Sequence, residues 1–141
     1  MALSASTLKV GDSRSQVLVE DLKRTQIVMY AGASGDYNPV HTDEVFVTKV
    51  AGYPTVFAHG MLSMGMTGRL LTDWAGDGRL TRYGVRFVRQ VWPGDSLTAT
   101  ATVKEITTGE DGSPLAELEV QTVNQRGEPV VTGYATARLD P

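Results

Sequence analysis

The amino-acid sequence predicts an α+β fold in which a curved antiparallel sheet wraps one long apolar helix. Two observations lead to this prediction. The spacing of apolar residues changes near residue 79, from the period of a helix before it to the period of a strand after it. The longest helical segment is apolar on most of its circumference, which is typical of a helix surrounded by protein. Each kind of element can bury its apolar side on the other, so we expect one shared core.

Two helices are predicted in the first half of the chain. The first follows a possible N-cap at Thr25, and the second extends from Gly60 to about Trp74. The apolar residues that recur one turn apart are Ile27, Val28 and Ala31 in the first helix, and Met61, Met64, Gly65, Gly68 and Leu71 in the second. Each glycine lowers helix propensity by about 1 kcal/mol relative to alanine. We therefore interpret Gly65 and Gly68 as places where the helix backbone lies close to the sheet.

Four strands are predicted after residue 79, because apolar residues there occupy alternate positions. The alternating residues are Tyr83, Val85 and Phe87; Leu97, Ala99, Ala101 and Val103; Ala116, Leu118 and Val120; and Gly133, Ala135, Ala137 and Leu139. Residues 15 to 22 are a candidate for a further strand. Short turn sequences at 93–95, 109–112 and 124–127 separate the four strands and favour antiparallel neighbours. A curved antiparallel sheet around one apolar helix is the hot-dog fold, and we expect a single such domain over residues 1–141.

Composition excludes several classes of function. The 141 residues contain no cysteine and two histidines, which rules out thiolate chemistry and a histidine-rich metal cage. A formal net charge of -3 argues against sequence-independent binding of nucleic acid. The sequence shows neither a secretory signal nor an apolar run long enough to cross a membrane, so we expect a cytoplasmic protein. Any chemistry must come from oxygen and imidazole groups.

The segment at residues 34–41, SGDYNPVH, is the first candidate for that chemistry. Pro39 fixes its own backbone angle and restricts Asn38, and the Asn38 side chain can hydrogen-bond the neighbouring backbone, so the turn is stiff. A stiff turn can aim the side chains of Asp36 and His41 at one point, as acid–base chemistry on a small substrate requires. The alternative is an ordinary polar surface turn.

The second candidate is the segment Ala58-His59-Gly60-Met61 at the start of the long helix. A helix N-terminus presents backbone N–H groups without partners and the positive end of the helix dipole. Gly60 would let a ligand approach its N–H closely, so a thioester carbonyl could place developing negative charge there. The alternative is that Gly60 only lets the chain turn into the helix, with His59 capping or packing nearby.

Together, YAGASGDYNPVH and FAHGMLSMG resemble the motifs of the MaoC-like family of hot-dog enoyl-thioester hydratases and dehydratases. The likeness spans nearly the whole chain, and within the family it is greatest for the B-subunit class of mycobacterial 3-hydroxyacyl-carrier-protein dehydratase. One position departs from the pattern, because Gly68 stands where relatives acting on polyester precursors carry a serine. The role of that serine is not carried over.

The resemblance implies both an activity and a site. It implies (R)-specific hydration of trans-2-enoyl thioesters, or dehydration of (R)-3-hydroxyacyl thioesters, by Asp36 and His41 as the catalytic pair. It also implies that the Gly60 amide binds the thioester carbonyl, and we place Asn38 and His59 in the same substrate-binding group. The substrate would be a thioester of coenzyme A or of acyl carrier protein. No metal or cofactor is needed, and a homodimer or a hot-dog heterodimer is expected.

Two other functions stay open from the sequence. A hot-dog thioesterase would share the fold and the oxyanion site but would direct water at the carbonyl carbon, and the spacing of Asp36, Asn38 and His41 disfavours it. A non-catalytic subunit of a paired system would bind substrate for another chain, and the presence of both Asp36 and His41 argues against that role.

Overall fold

A five-stranded antiparallel sheet and one long helix form the frame of the computed structural model, which describes residues 3–141. The strands are β1 (Ser13–Val19), β2 (Leu80–Phe87), β3 (Leu97–Thr108), β4 (Pro114–Val123) and β5 (Pro129–Arg138). The helices are α1 (Arg24–Ser34), α2 (Glu44–Lys49) and α3 (Gly60–Ala75), with a short 3-10 turn at Pro39–His41. Within this described range, no helix is long and apolar enough to span a membrane.

The strand order β1-β3-β4-β5-β2 confirms most of the predicted sheet and corrects one pairing. β3, β4 and β5 are consecutive antiparallel neighbours, as the turns at 109–112 and 124–127 predict. The turn at 93–95 does not join neighbours, because β2 pairs with β5 and β3 pairs with β1. The physical reason is the segment 88–96, which is too long for a tight hairpin and crosses from one sheet edge to the other. Along this path Val88 N–H donates to Val130 O and Ala58 N–H donates to Val91 O.

The core lies between α3 and the concave face of the sheet. The alternate residues Leu97, Ala99, Ala101 and Val103 of β3 are fully buried, as predicted. Leu62, Met66, Leu70 and Trp74 of α3 pack against that face. Burial of each large apolar side chain stabilises the fold by roughly 1.5–3 kcal/mol.

The orientation of α3 differs from the prediction. Met61 is 55% exposed and a Cβ atom on Gly65 would meet nothing within 4 Å, so these two residues lie on the open side of the helix. The proposed need for Gly65 is therefore wrong within this chain. Gly68 does lie close to the sheet, since a Cβ atom there would be 3.2 Å from the Tyr83 ring. The polar residue Thr67 is buried instead, because its hydroxyl pairs with that of Thr122 at 2.7 Å.

The helices before α3 also differ from the predicted bounds. α1 begins at Arg24, so Thr25 lies inside the helix, and the N-cap residue Lys23 makes no side-chain capping bond. Its Val28 is exposed, while Ile27 and Ala31 are buried as predicted. The sequence analysis missed α2, which is short and is capped by a hydrogen bond from Phe46 N–H to the Asp43 carboxylate.

Candidate active site

The turn between α1 and α2 is held in one shape by its own side chains. Gly35 ends α1 with φ 75°, a left-handed conformation that favours glycine. The Asp36 carboxylate accepts from Asn38 N–H at 3.2 Å, and the Asn38 side-chain carbonyl accepts from Val40 N–H at 3.2 Å. Pro39 starts the 3-10 turn that ends at His41. These bonds confirm the predicted stiffness of the turn and the predicted contact of Asn38 with the neighbouring backbone.

This turn brings the Asp36 carboxylate and the His41 imidazole together. Their Oδ2 and Nε2 atoms are 3.9 Å apart, which is too long for a direct hydrogen bond and short enough for one water molecule to contact both. The Nδ1 of His41 lies 2.6 Å from the Phe57 carbonyl oxygen, so Nδ1 carries the proton and donates it there. In the neutral ring Nε2 therefore presents a lone pair toward Asp36. The Asp36 side chain is about half exposed and that of His41 is almost buried, so solvent reaches the pair from the Asp36 side.

His59 lies behind the pair. Its side chain is 1% exposed, its Nε2–H donates to the Asp36 backbone carbonyl at 3.1 Å, and its ring stacks on that of His41 at 3.8 Å between centroids. The Tyr30 ring meets the other side of His59 edge-on. Burial lowers the pKa of His59 below the usual value for histidine, and the neighbouring His41 adds to this effect. His59 thus contacts both Asp36 and His41, and its lowered pKa favours the neutral ring.

A cavity of about 270 Å³ lies at the N-terminus of α3, and neither Asp36 nor His41 is among the residues that line it. Phe57, Gly60 and Ser63 line one side, and Phe87, Val88 and Val131 are among the residues that line the other. A Cβ atom on Gly60 would lie 2.8 Å from the Phe87 ring, so the close approach of β2 to α3 requires glycine. Phe57 connects the two parts of the site, because its carbonyl binds His41 and the residue also lines the cavity.

Sequence reasoning located the polar part of this site but missed most of its walls. Asp36, Asn38, His41 and His59 lie together next to the start of α3, and of the five predicted residues Gly60 alone lines the cavity. Phe87 and Val131 come from β2 and β5, and no local pattern marks them as neighbours of Gly60. Ser63 could have been found from the sequence, because it is a polar residue one turn after Gly60 on a largely apolar helix.

Asp36, His41 and His59 also form the one cluster in the described chain with the composition of a metal site, with candidate ligand atoms within 4.8 Å of one another. Each imidazole donates one N–H to a backbone carbonyl, which leaves its other nitrogen with a lone pair. The two rings are stacked with an interplanar angle of 24°, so their in-plane lone pairs do not converge on one ion. The geometry suits proton transfer better than metal binding.

Comparison with known proteins gives a family match over most of the chain. Residues 6–125 match the family model of the MaoC like domain. The (R)-specific enoyl-CoA hydratase of Aeromonas caviae is 30% identical over 139 residues, which cover 97% of this chain and 99% of that protein. The solved (R)-hydratase from A. caviae has a TM-score of 0.81 at 28% identity, and the match covers 96% of this chain and 99% of that one.

A longer relative matches over a shorter stretch. The 3-hydroxyacyl-thioester dehydratase Y of Mycobacterium tuberculosis is 40% identical over 68 residues, or 46% of this chain. The matching stretch spans only 23% of the length of dehydratase Y. These likenesses confirm the predicted hot-dog fold of the α+β class.

Proposed function

Because this chain belongs to the MaoC-like family, we propose that it is an (R)-specific hydro-lyase acting on acyl thioesters. It adds water to trans-2-enoyl thioesters to give (R)-3-hydroxyacyl thioesters, and it catalyses the reverse dehydration. The observation that carries this proposal is the 3.9 Å separation of His41 Nε2 and Asp36 Oδ2, in a pair that Phe57 connects to the cavity at the N-terminus of α3. A pair with this spacing binds one water molecule in the position from which it attacks an alkene.

In hydration, Asp36 and His41 act as a unit on the bound water. The water oxygen forms a bond to the β-carbon, one water proton passes to the pair, and the π electrons move to the α-carbon and the thioester oxygen. The pair then delivers one proton to the α-carbon, which restores its original protonation state. The lone pair on His41 Nε2 suits it to this exchange, because the Nδ1 proton is committed to Phe57 O. Dehydration follows the same path in reverse.

The thioester oxygen gains negative charge while the β-carbon is attacked. Gly60 is the first residue of α3, and among the described residues no carbonyl or side chain accepts from its N–H. This donor and the positive end of the helix dipole stabilise an enolate-like oxygen placed in the cavity. The role of Gly60 as the oxyanion donor, and the roles of Asn38 and His59 as supports of the pair, are part of this proposal.

The two rival functions receive less support. The A. caviae relative that matches over the full chain is named a hydratase, and the spacing of Asp36 and His41 favours joint action on one water over attack by a carboxylate alone. The complete Asp36 and His41 pair also disfavours a non-catalytic subunit.

We also propose that the working protein contains a second hot-dog subunit, either identical or different. β2 lies at an edge of the sheet, and apolar side chains near it are exposed, including Phe87 and Val88. An edge strand of this kind is a template for pairing with another chain. The substrate carrier is coenzyme A or acyl carrier protein.

The activity is tested by mixing the purified protein with crotonyl-coenzyme A and following the loss of the enoyl-thioester absorbance. Chiral analysis of the product and a thiol reagent run in parallel report stereochemistry and release of free coenzyme A. The proposal predicts (R)-3-hydroxybutyryl-coenzyme A without release of thiol. Release of thiol would indicate a thioesterase instead, and an (S) product would contradict the proposed stereochemistry.

A further inference from the structure

We propose that the Ser63 hydroxyl is a second hydrogen-bond donor to the thioester oxygen, acting beside the Gly60 N–H. This inference rests on the proposed function, since it concerns how that substrate is held. Ser63 is then a substrate contact outside the Asp36 and His41 pair, and the thioester oxygen accepts hydrogen bonds from two donors.

The first observation is that Ser63 is buried without a partner. Its side chain is 2% exposed, and its Oγ atom has no hydrogen-bond partner within the described residues. Thr67, one turn further along the same face of α3, pairs with the Thr122 hydroxyl. A buried hydroxyl that lacks a partner destabilises a folded protein, so its retention calls for a ligand or another use.

The nearest alternative partner does not satisfy Ser63. His59 Nδ1 is an acceptor, because the other ring nitrogen donates to the Asp36 carbonyl. In the part of the chain that the structure describes, however, His59 Nδ1 also has no partner, so the two groups do not bind each other. Ser63 lines the cavity and His59 does not, so we assign the unpartnered hydroxyl of Ser63, rather than His59 Nδ1, to a bound molecule.

The second observation is that Ser63 and Gly60 face the same cavity. Helical side chains lean toward the helix N-terminus, so the Ser63 hydroxyl extends toward the turn that begins at Gly60. The Leu62 and Ser63 N–H groups both donate to His59 O, whereas the Gly60 and Met61 N–H groups have no acceptor among the described residues. Of these two, Gly60 is the residue that lines the cavity. A carbonyl oxygen has two lone pairs and can accept from both groups.

Two donors aimed at one oxygen matter most when that oxygen carries charge. The oxygen is neutral in the bound enoyl thioester and enolate-like when water attacks the β-carbon. Each donor therefore stabilises the transition state more than the ground state, and its loss lowers kcat more than it raises KM. Removal of one such donor lowers kcat by about 10²-fold in enzymes where it has been isolated.

The test compares Ser63→Ala with the wild type and with Thr67→Val as a matched control. Thr67→Val removes a buried hydroxyl from the same helix face without altering the cavity wall. With crotonyl-coenzyme A we expect Ser63→Ala to lose about 10²-fold in kcat, a much larger change than its several-fold rise in KM. Its Tm should equal or exceed that of the wild type, because an unpaired hydroxyl has been removed. Thr67→Val should show a lower Tm and near-normal kcat.

A binding measurement separates a substrate contact from a packing role. Calorimetry is run with butyryl-coenzyme A and with S-butyl-coenzyme A, a thioether that lacks the carbonyl oxygen. Ser63→Ala should weaken binding of the thioester several-fold and leave binding of the thioether unchanged. An unchanged kcat, or equal weakening of both ligands, would overturn the inference. If the wild type hydrates no enoyl thioester, the proposed function fails. The role of Ser63 is then decided by whether Ser63→Ala weakens binding of the thioester more than binding of the thioether.

Discussion

At the scale of single residues, the catalytic pair could be predicted from sequence but its hydrogen-bonding state could not. Asp36 and His41 lie in one short turn, so their proximity follows from local geometry. The proton on His41 Nδ1 is fixed by the carbonyl of Phe57, which comes from the segment before α3. The sequence left His59 as a cap, a packing residue or a substrate contact; it is the N-cap residue of α3, makes no side-chain capping bond and packs behind the pair. These facts depend on tertiary packing, which the sequence motifs do not encode.

His59 gives a prediction for the dependence of stability on pH. Burial holds the pKa of His59 below its ordinary value, so the unfolded chain binds a proton more readily than the folded one. The free energy of unfolding that His59 contributes is therefore complete above about pH 6.5 and is lost as pH falls through and below that value. We expect His59→Phe, which keeps a ring against His41, to reduce this loss between pH 7.5 and 5.5. Urea unfolding at pH 7.5 and at pH 5.5 measures this loss of free energy of unfolding in the wild type and in the variant.

A second variant separates the two supports that His59 provides. His59→Gln offers an N–H to the Asp36 carbonyl but no ring, while His59→Phe offers a ring but no N–H. We expect each to lower kcat by roughly 10-fold, because misplacing a catalytic group slightly reduces rate steeply. Full activity in both variants would contradict a supporting role, and a wild-type pH dependence of stability in His59→Phe would contradict the assignment of that dependence to His59.

At the scale of elements, alternation predicted the strands well where one face is buried and poorly at the edge. β3, β4 and β5 are central or covered, and their inward residues match the pattern. β2 was assigned the wrong neighbour because pairing depends on the path of residues 88–96, which no periodicity reveals. The buried face of α3 was also misjudged, since an apolar pattern on most of a helix does not single out one side.

The contact between β2 and β5 gives a prediction at this scale. A Cβ atom on Gly133 would lie 2.1 Å from the Gly84 carbonyl oxygen, and this backbone atom cannot move away without separating the strands. We expect Gly133→Ala to lower the free energy of unfolding by about 1–3 kcal/mol. Gly32→Ala is the control, because open space surrounds Gly32 in α1. This change should raise the free energy of unfolding by up to about 1 kcal/mol. Urea unfolding measures both, and equal effects would contradict the packing described.

At the scale of the whole molecule, the site exists only because distant segments meet. The pair comes from the turn after α1, the oxyanion donor from the start of α3, and the facing wall from the ends of β2 and β5. The sequence motifs located the first two parts. The third follows from the strand order, so neither the cavity nor its volume could be predicted from the chain alone.

At this scale we predict that the protein associates with a second subunit. We expect the protein expressed alone to sediment at twice its mass of 15.2 kDa. Val88→Lys places a charge beside the edge strand β2 and should weaken association by at least about 10-fold, whereas Val10→Lys, at another exposed apolar position before β1, should not. A monomer with full activity would contradict the proposal. An inactive monomer that gains activity with a second hot-dog chain would identify the partner as different.

The most direct test of the central claim is the turnover of crotonyl-coenzyme A by Asp36→Asn, His41→Gln and the double variant, with matched folding checked by circular dichroism. If both side chains act on one water, each single variant loses about 10²–10⁴-fold in kcat, and the double variant is little worse than either. Near-normal turnover in either single variant, or losses that multiply fully in the double variant, would contradict joint action of Asp36 and His41.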